Sequence, residues 1–312
     1  MANRNDILQE VNMYKNEGQD TIRRKYLSEL QEYTNNDTVV YATAFPCNIP
    51  GVPANVLSIG LNDIQGFMTC LNGLHSEKLD LIIHSPGGSL EAAEQIVQYL
   101  RAKYSYIRAI IPQNAMSAAT MLACACDEII MGKQSAIGPI DPQMTLVRSN
   151  GMAYSLPAHS ILADFEKAKE EISKDEKATA VWVPRLLEIP NGFLDLCNKT
   201  IELSKAKVAE WLDEYMFKDG EKRGDEIAGW LGNFYEHRTH SRPINYSLAK
   251  EKGLKISLLE DDQLLQEKVL SVFHATLVTF DVAPCVKIIE NHLGKGSYVV
   301  VRQQLIPTPI KN

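Results

Sequence analysis

No run of apolar residues in this sequence reaches the roughly 18 positions that a membrane-spanning helix needs. The longest candidate, residues 115–126, is closed by Asp127-Glu128; it is expected as a buried helix, and no membrane span is expected. The amino-terminal stretch MANRNDILQE has no apolar core of signal-peptide length. Both absences point to a cytoplasmic protein. None of the six cysteines forms a CxxC pair. Cys124 and Cys126 stand two apart in a helical run, so they face different ways and cannot readily share a metal. Cys47, Cys70, Cys197 and Cys285 are scattered, and all six are expected as free thiols in a reducing compartment, with no metal and no cofactor. Nor is there an excess of basic charge. The formal net charge of −7 argues against a broad electrostatic footprint for nucleic acid or an anionic membrane. There is no internal repeat or low-complexity tract, and no GxGxxG pattern to support a dinucleotide site.

What is present reads as an ordinary globular chain. Its 312 residues are 45% hydrophobic and 23% charged, enough for one large α/β domain with additions. Ile7, Leu8, Val11, Met13 and Tyr14, then Ile22, Tyr26, Leu27 and Leu30, recur at spacings of three and four. That predicts an amphipathic helix over 5–33, broken near Gly18, packed on the domain or on a partner subunit. From Thr38 short β-branched runs alternate with helical ones, predicting strands at 39–45, 79–84, 107–112 and 128–131 and helices at 62–74, 89–103 and 116–126. Leu81-Ile82-Ile83 is continuously apolar, as in a strand covered on both faces. Right-handed crossovers would then gather the strand-to-helix turns on one edge of the sheet, where a site should lie. Beyond Pro142 the pattern predicts mainly helix, at 160–177, 192–215 and 262–280. Residues 298–302 could add a strand, and Pro307-Thr308-Pro309 reads as an extended terminus. The expected division is an amino-terminal helical segment 1–36, a main domain 37–260 with a largely helical second half, and a carboxy-terminal helix and tail 261–312.

Two constellations carry chemistry. His84-Ser85-Pro86-Gly87-Gly88-Ser89 follows a strand and precedes the helix opened by Leu90-Glu91-Ala92-Ala93. Paired glycines let the backbone turn sharply and approach a ligand, and helix-start N–H groups point at negative charge. On its own the motif reads equally well as a strand-to-helix turn with Ser89 as cap. The second is Pro112-Gln113-Asn114-Ala115-Met116-Ser117-Ala118-Ala119-Thr120, again at a strand end entering an apolar helix. A serine there presents its hydroxyl at the positive end of the helix dipole, as a nucleophile requires. A lone serine would more often be a cap; the two turns in consecutive β-α units make Ser117 a candidate nucleophile.

These residues resemble a known family. The run Asp80-Leu81-Ile82-Ile83-His84-Ser85-Pro86-Gly87-Gly88, then Ala92-Ala93-Glu94-Gln95-Ile96, Ala115-Met116-Ser117, Asp127-Glu128-Ile129-Ile130-Met131 and Ile137-Gly138-Pro139-Ile140-Asp141-Pro142-Gln143, is similar to the serine dehydrogenase proteinase family. That family is related to signal peptide peptidase A within the Clp/crotonase superfamily. The similarity begins near Ile59-Gly60-Leu61-Asn62-Asp63 and resumes weakly at Thr239-His240-Ser241-Arg242-Pro243-Ile244. It implies an α/β fold of the Clp/crotonase type, a ββα superhelix with added terminal helices. It further implies Ser117 as nucleophile, an oxyanion hole from Gly87, Gly88 and Ala118, a peptide or protein substrate and a homo-oligomer. The chain departs from the family's pattern at Gln113, where a histidine is usual, and at Ala118-Ala119, where glycines are usual.

The proton acceptor for Ser117 is not evident locally. Clp subunits place a histidine a short way beyond the serine, where this chain reads Gly138-Pro139-Ile140-Asp141-Pro142. Signal peptide peptidase A draws a lysine from farther along, and Lys167 and Lys169 fall in a comparable window by position alone. His159 and His240 are the other candidates, and Asp141 could orient a base, although its flanking prolines equally suggest a rigid turn. The sequence therefore predicts a serine endopeptidase, with a catalytically impaired oligomeric scaffold or partner-binding module as the alternative. A crotonase-type acyl-CoA enzyme is a third class, against which the Ala115-Met116-Ser117 block speaks.

Overall fold

The computed structural model describes residues 3–14, 18–46, 52–147 and 151–301. In chain order its strands are β1 (Asp37–Thr43), β2 (Lys78–His84), β3 (Tyr106–Ile111), β4 (Asn114–Ala115), β5 (Glu128–Met131), β6 (Ala136–Ile137), β7 (Gln143–Val147), β8 (Ala153–Pro157), β9 (Ile244–Asn245), β10 (Ile256–Leu258), β11 (Cys285–Asn291) and β12 (Gly296–Val300). A seven-stranded sheet runs in the order β10-β5-β3-β2-β1-β11-β12. From β10 to β1 the neighbours are parallel. β11 then enters antiparallel beside β1, with Val39 opposite Asn291, and β12 closes that edge.

Packing accounts for the continuous apolar runs of the parallel strands. Successive strand residues point to opposite faces, and here both faces are covered. Val39, Tyr41, Leu81, Ile83, Ala109 and Ile111 join one buried cluster, shared with the helices Asp63–Leu71, Leu90–Arg101, Ala118–Cys124 and Phe193–Trp211. Val40, Ala42, Ile82, Ile110, Ile130 and Ile288 join the other, beneath Arg4–Asn12, Gly18–Thr34 and Gln263–Val282. The amphipathic amino-terminal segment is thus two helices whose Ile7, Val11, Ile22, Tyr26, Leu27 and Leu30 are buried on the chain's own sheet, whereas Met13 and Tyr14 of the same stripe are exposed. Local signals set the helix ends. Ser89 Oγ accepts from the Ala92 N–H at 3.1 Å and starts Leu90–Arg101. At the far end Arg101 donates to the Ala125 carbonyl and to Asp127, tying that helix to the turn that leads into β5.

The parallel strands do not stop at the sheet edge. After a short bend β3 continues into β4 and β5 into β6, and these two-residue strands form a second sheet ordered β4-β6-β9. Ser85, just past β2, pairs with Ala115 in the same manner. Strand, short strand and helix repeat as a ββα superhelix, the fold expected from the sequence, and the strand-to-helix turns collect beside the second sheet.

Residues 143–147 and 153–157 depart from the helical expectation beyond Pro142. They form the hairpin β7–β8, in which Met144 and Leu146 are buried while Thr145 and Val147 are exposed. β11 was also not foreseen, because Lys287 and Glu290 interrupt its apolar pattern; both are buried and paired. The carboxy-terminal strand covers 296–300, whereas Arg302, Pro307-Thr308-Pro309 and Cys47 lie outside the described residues. The five described cysteines are free and buried. Burial pushes the Cys126 thiol up to about 12 and that of Cys285 to about 11. Among the described residues no helix is long and apolar enough to cross a membrane.

Candidate active site

The glycine turn and the serine turn are in direct contact. A Cβ on Gly87 would lie 2.4 Å from the Met116 carbonyl oxygen and 2.7 Å from Ser117 Cβ, and Gly87 has φ +95°. Only glycine satisfies both constraints. One on Gly88 would lie 2.4 Å from the Ile59 nitrogen and 2.3 Å from its oxygen, because Ile59 lies along this turn like a strand. The Ile59 N–H donates to the Gly87 carbonyl at 2.7 Å, and the Ser89 N–H donates to the Ile59 carbonyl at 3.0 Å.

Ser117 has φ +52° and ψ −121°, a backbone conformation that an L-residue adopts at a cost of order 1–3 kcal/mol. Its flanks are over-determined. The Met116 N–H donates to the Ser85 carbonyl at 3.0 Å, the Ala119 N–H to Met116 at 2.9 Å and the Met121 N–H to Ser117 at 3.1 Å. Thr120 Oγ1 donates to the Ala115 carbonyl and accepts from the Gly138 N–H at 2.9 Å, which couples the helix start to the loop carrying Asp141. Ala118 and Ala119 are buried in the core, so their methyl groups fit where the family's glycines would stand. Among the described residues, no carbonyl accepts from the N–H of Gly88 or of Ala118. One backbone donor in each of the two turns is therefore uncommitted.

These turns open on a cavity of about 440 Å³, which Ser117, Gly87, Gly88 and His240 all line. Its lining also includes the apolar Met121, Ile140 and Met144, the polar Glu91 and Gln143, and Leu196, Thr200 and Ser204 of the helix Phe193–Trp211. His240 Nδ1 lies 2.9 Å from Asp141 Oδ1. Asp141 is 1% exposed and its second oxygen accepts from Gln143 Nε2 at 3.0 Å. A carboxylate bound to Nδ1 selects the tautomer that leaves Nε2 free to take a proton.

The other candidate bases sit elsewhere. Lys167 and Lys169 are on the exposed side of the helix Ala158–Lys174, whose buried residues are Ala158, Ile161 and Ala168. They pair with Glu171 at 3.9 Å and Glu166 at 2.8 Å. The depression they line is separate from the Ser117 cavity, so the fold does not bring them to the serine. His159 stacks on Phe234 with ring centroids 6.0 Å apart, and burial holds its ring below the ordinary histidine range. His84 is buried, donates from Nε2 to the Phe45 carbonyl at 2.7 Å and is likewise held down by burial. It fixes the strand end beneath the glycine turn.

The model of the ClpP-like SDH-type serine proteinases matches residues 68–270. The chain belongs to this family. Two uncharacterized proteins of Methanocaldococcus jannaschii are similar to this SDH-type proteinase family member. One is 30% identical over 237 residues, which is 75% of this chain and 73% of the relative. The other is 34% identical over 181 residues, 57% of this chain, and the match spans about half, 52%, of that relative. Among solved structures, a mutant of the 1510-N membrane-bound stomatin-specific protease aligns at 15% identity with a TM-score of 0.40, over 68% of this chain and 79% of that one. For this ClpP-like chain the pairing that local sequence reasoning missed is Asp141 with His240. The two are 99 residues apart, and only the prolines fixing Asp141 and the resumed similarity around His240 hinted at it.

Proposed function

We propose that the protein is a serine endopeptidase in which Ser117 is the nucleophile, His240 the base and Asp141 the residue that orients it. In the first step Ser117 Oγ attacks a peptide carbonyl carbon while its proton passes to His240 Nε2. The carbonyl oxygen becomes an oxyanion facing the N–H groups of Gly88 and Ala118. Collapse breaks the C–N bond, and His240 returns the proton to the leaving amine. Water, deprotonated by the same ring, then releases the acid and restores Ser117. The observation that carries this reading is the Asp141-bound His240 on the wall of the Ser117 cavity, which supplies an acceptor where the local sequence has none.

A fluorophosphonate probe tests it. Wild type should label on Ser117, and Ser117→Ala should neither label nor cleave a quenched fluorescent peptide, while keeping its melting temperature. A wild type that never labels would count decisively against the proposal. Product masses from an unfolded protein substrate, internal fragments rather than trimmed ends, decide the endopeptidase part. Self-association is proposed as well, on the exposed Val181, Val183 and Leu187, and sedimentation would show it.

A further inference from the structure

The block Ile59-Gly60-Leu61-Asn62-Asp63 has no role in the chemistry above, and β11 lies beyond the residues 68–270 that match the family. The two meet beneath the glycine turn. Lys287 Nζ lies 2.9 and 3.0 Å from the two Asp63 carboxylate oxygens and donates to the Ser58 carbonyl at 2.7 Å. Asp63 Oδ2 also accepts from Tyr41 Oη at 2.7 Å and from the Gly60 N–H at 3.1 Å. Lys287 is 4% exposed and Asp63 5%. Two charges out of water are costly, and an apolar pair of similar size would often serve stability as well. An ion pair at this depth calls for another reason.

Its contacts supply one. Lys287 holds the carbonyl of Ser58 and Asp63 holds the N–H of Gly60, so the pair grips the chain on both sides of Ile59. Ile59 in turn holds the Gly87 carbonyl and the Ser89 N–H, one on each side of Gly88. The Gly87 carbonyl and the Gly88 N–H belong to one planar trans peptide, in which they point in opposite directions. Fixing the carbonyl on Ile59 therefore aims the Gly88 N–H away from Ile59. Between two glycines that peptide can rotate as a unit with little steric resistance, so the aim depends on the grip.

Resting on the reading of Gly88 as an oxyanion donor, we propose that Lys287 and Asp63 are positioning residues: a buried ion pair that, through Ile59, sets the direction of the Gly88 N–H. The test compares wild type with the compensated variant Asp63→Asn/Lys287→Met, which leaves neither charge unpaired. The core truncation Val269→Ala serves as a control that loosens the opposite face of the sheet. Two readouts are taken, amide hydrogen exchange at Ile59 and Ser89, and the saturating rate of Ser117 phosphonylation by the fluorophosphonate probe.

The compensated variant should exchange both amides at least about tenfold faster and label about ten- to a hundredfold more slowly, at an unchanged half-saturating probe concentration. Val269→Ala should leave the labelling rate alone. Unchanged exchange in the compensated variant overturns the proposal, as does faster exchange with unchanged labelling, or equal slowing in Val269→Ala. A wild type that does not label overturns the reading of Ser117 instead. The exchange readout then still decides whether the pair holds the turn.

Discussion

The two halves of the Ser117 cavity are built from different materials. The half at Gly87, Gly88 and Ser117 is backbone, made by consecutive ββα units and locked by main-chain hydrogen bonds between Ser85, Asn114 and Met116. The half at His240 is side chain, held by one carboxylate 99 residues away in sequence. Backbone geometry tolerates changes of side chain, as Ala118 and Ala119 illustrate, but it tolerates no added atom where two segments of backbone touch. A side-chain dyad behaves oppositely: either member can be removed with little harm to the fold, and its chemistry goes with it.

The largest expected effect follows from the side-chain half. His240→Ala should slow peptide cleavage by about 10³-fold, within the range for loss of a general base. Its ring is 24% exposed, so the melting temperature should move by only a few degrees. Asp141→Asn should lose part of the same rate, because the ring keeps a partner but not a carboxylate. Retention of wild-type cleavage in His240→Ala would show that the base comes from elsewhere.

The backbone half should break through stability. Gly87→Ala puts a methyl group 2.4 Å from the Met116 carbonyl oxygen at φ +95°, and we expect a loss of about 3 kcal/mol in denaturant unfolding. Gly192→Ala separates the causes, since Gly192 has φ +81° but nothing within 4 Å of the added Cβ. It should lose only about 1 kcal/mol, the conformational part alone. If the two variants unfolded together, close approach of the turns would not be what requires Gly87.

The same contrast explains what the sequence disclosed. The strands β1, β2, β3 and β5 and the helices after them were legible because two covered faces demand unbroken apolar runs, and the glycine and serine turns stand at their ends. β11 was hidden by Lys287 and Glu290, whose partners Asp63, Arg23 and Arg24 lie far upstream. The strands β4, β6 and β9, at two residues each, are too short to carry a period. Asp141 and His240 were each visible as candidates, and nothing local joins them. Pairings between distant side chains leave no spacing to read, whereas backbone turns do.

The smallest effect concerns the lysines that sequence position alone suggested. Lys167 and Lys169 reach into solvent, with side chains 62% and 58% exposed, beside Glu171 and Glu166. Neither lysine lines the cavity that holds Ser117. Exposed ion pairs of this kind contribute little to stability. Lys167→Ala and Lys169→Ala should therefore each cleave peptide within about twofold of wild type and label at the same rate. A tenfold loss in either would mean that the helix Ala158–Lys174 swings toward Ser117 when substrate binds, and the assignment of His240 would then have to yield to a lysine.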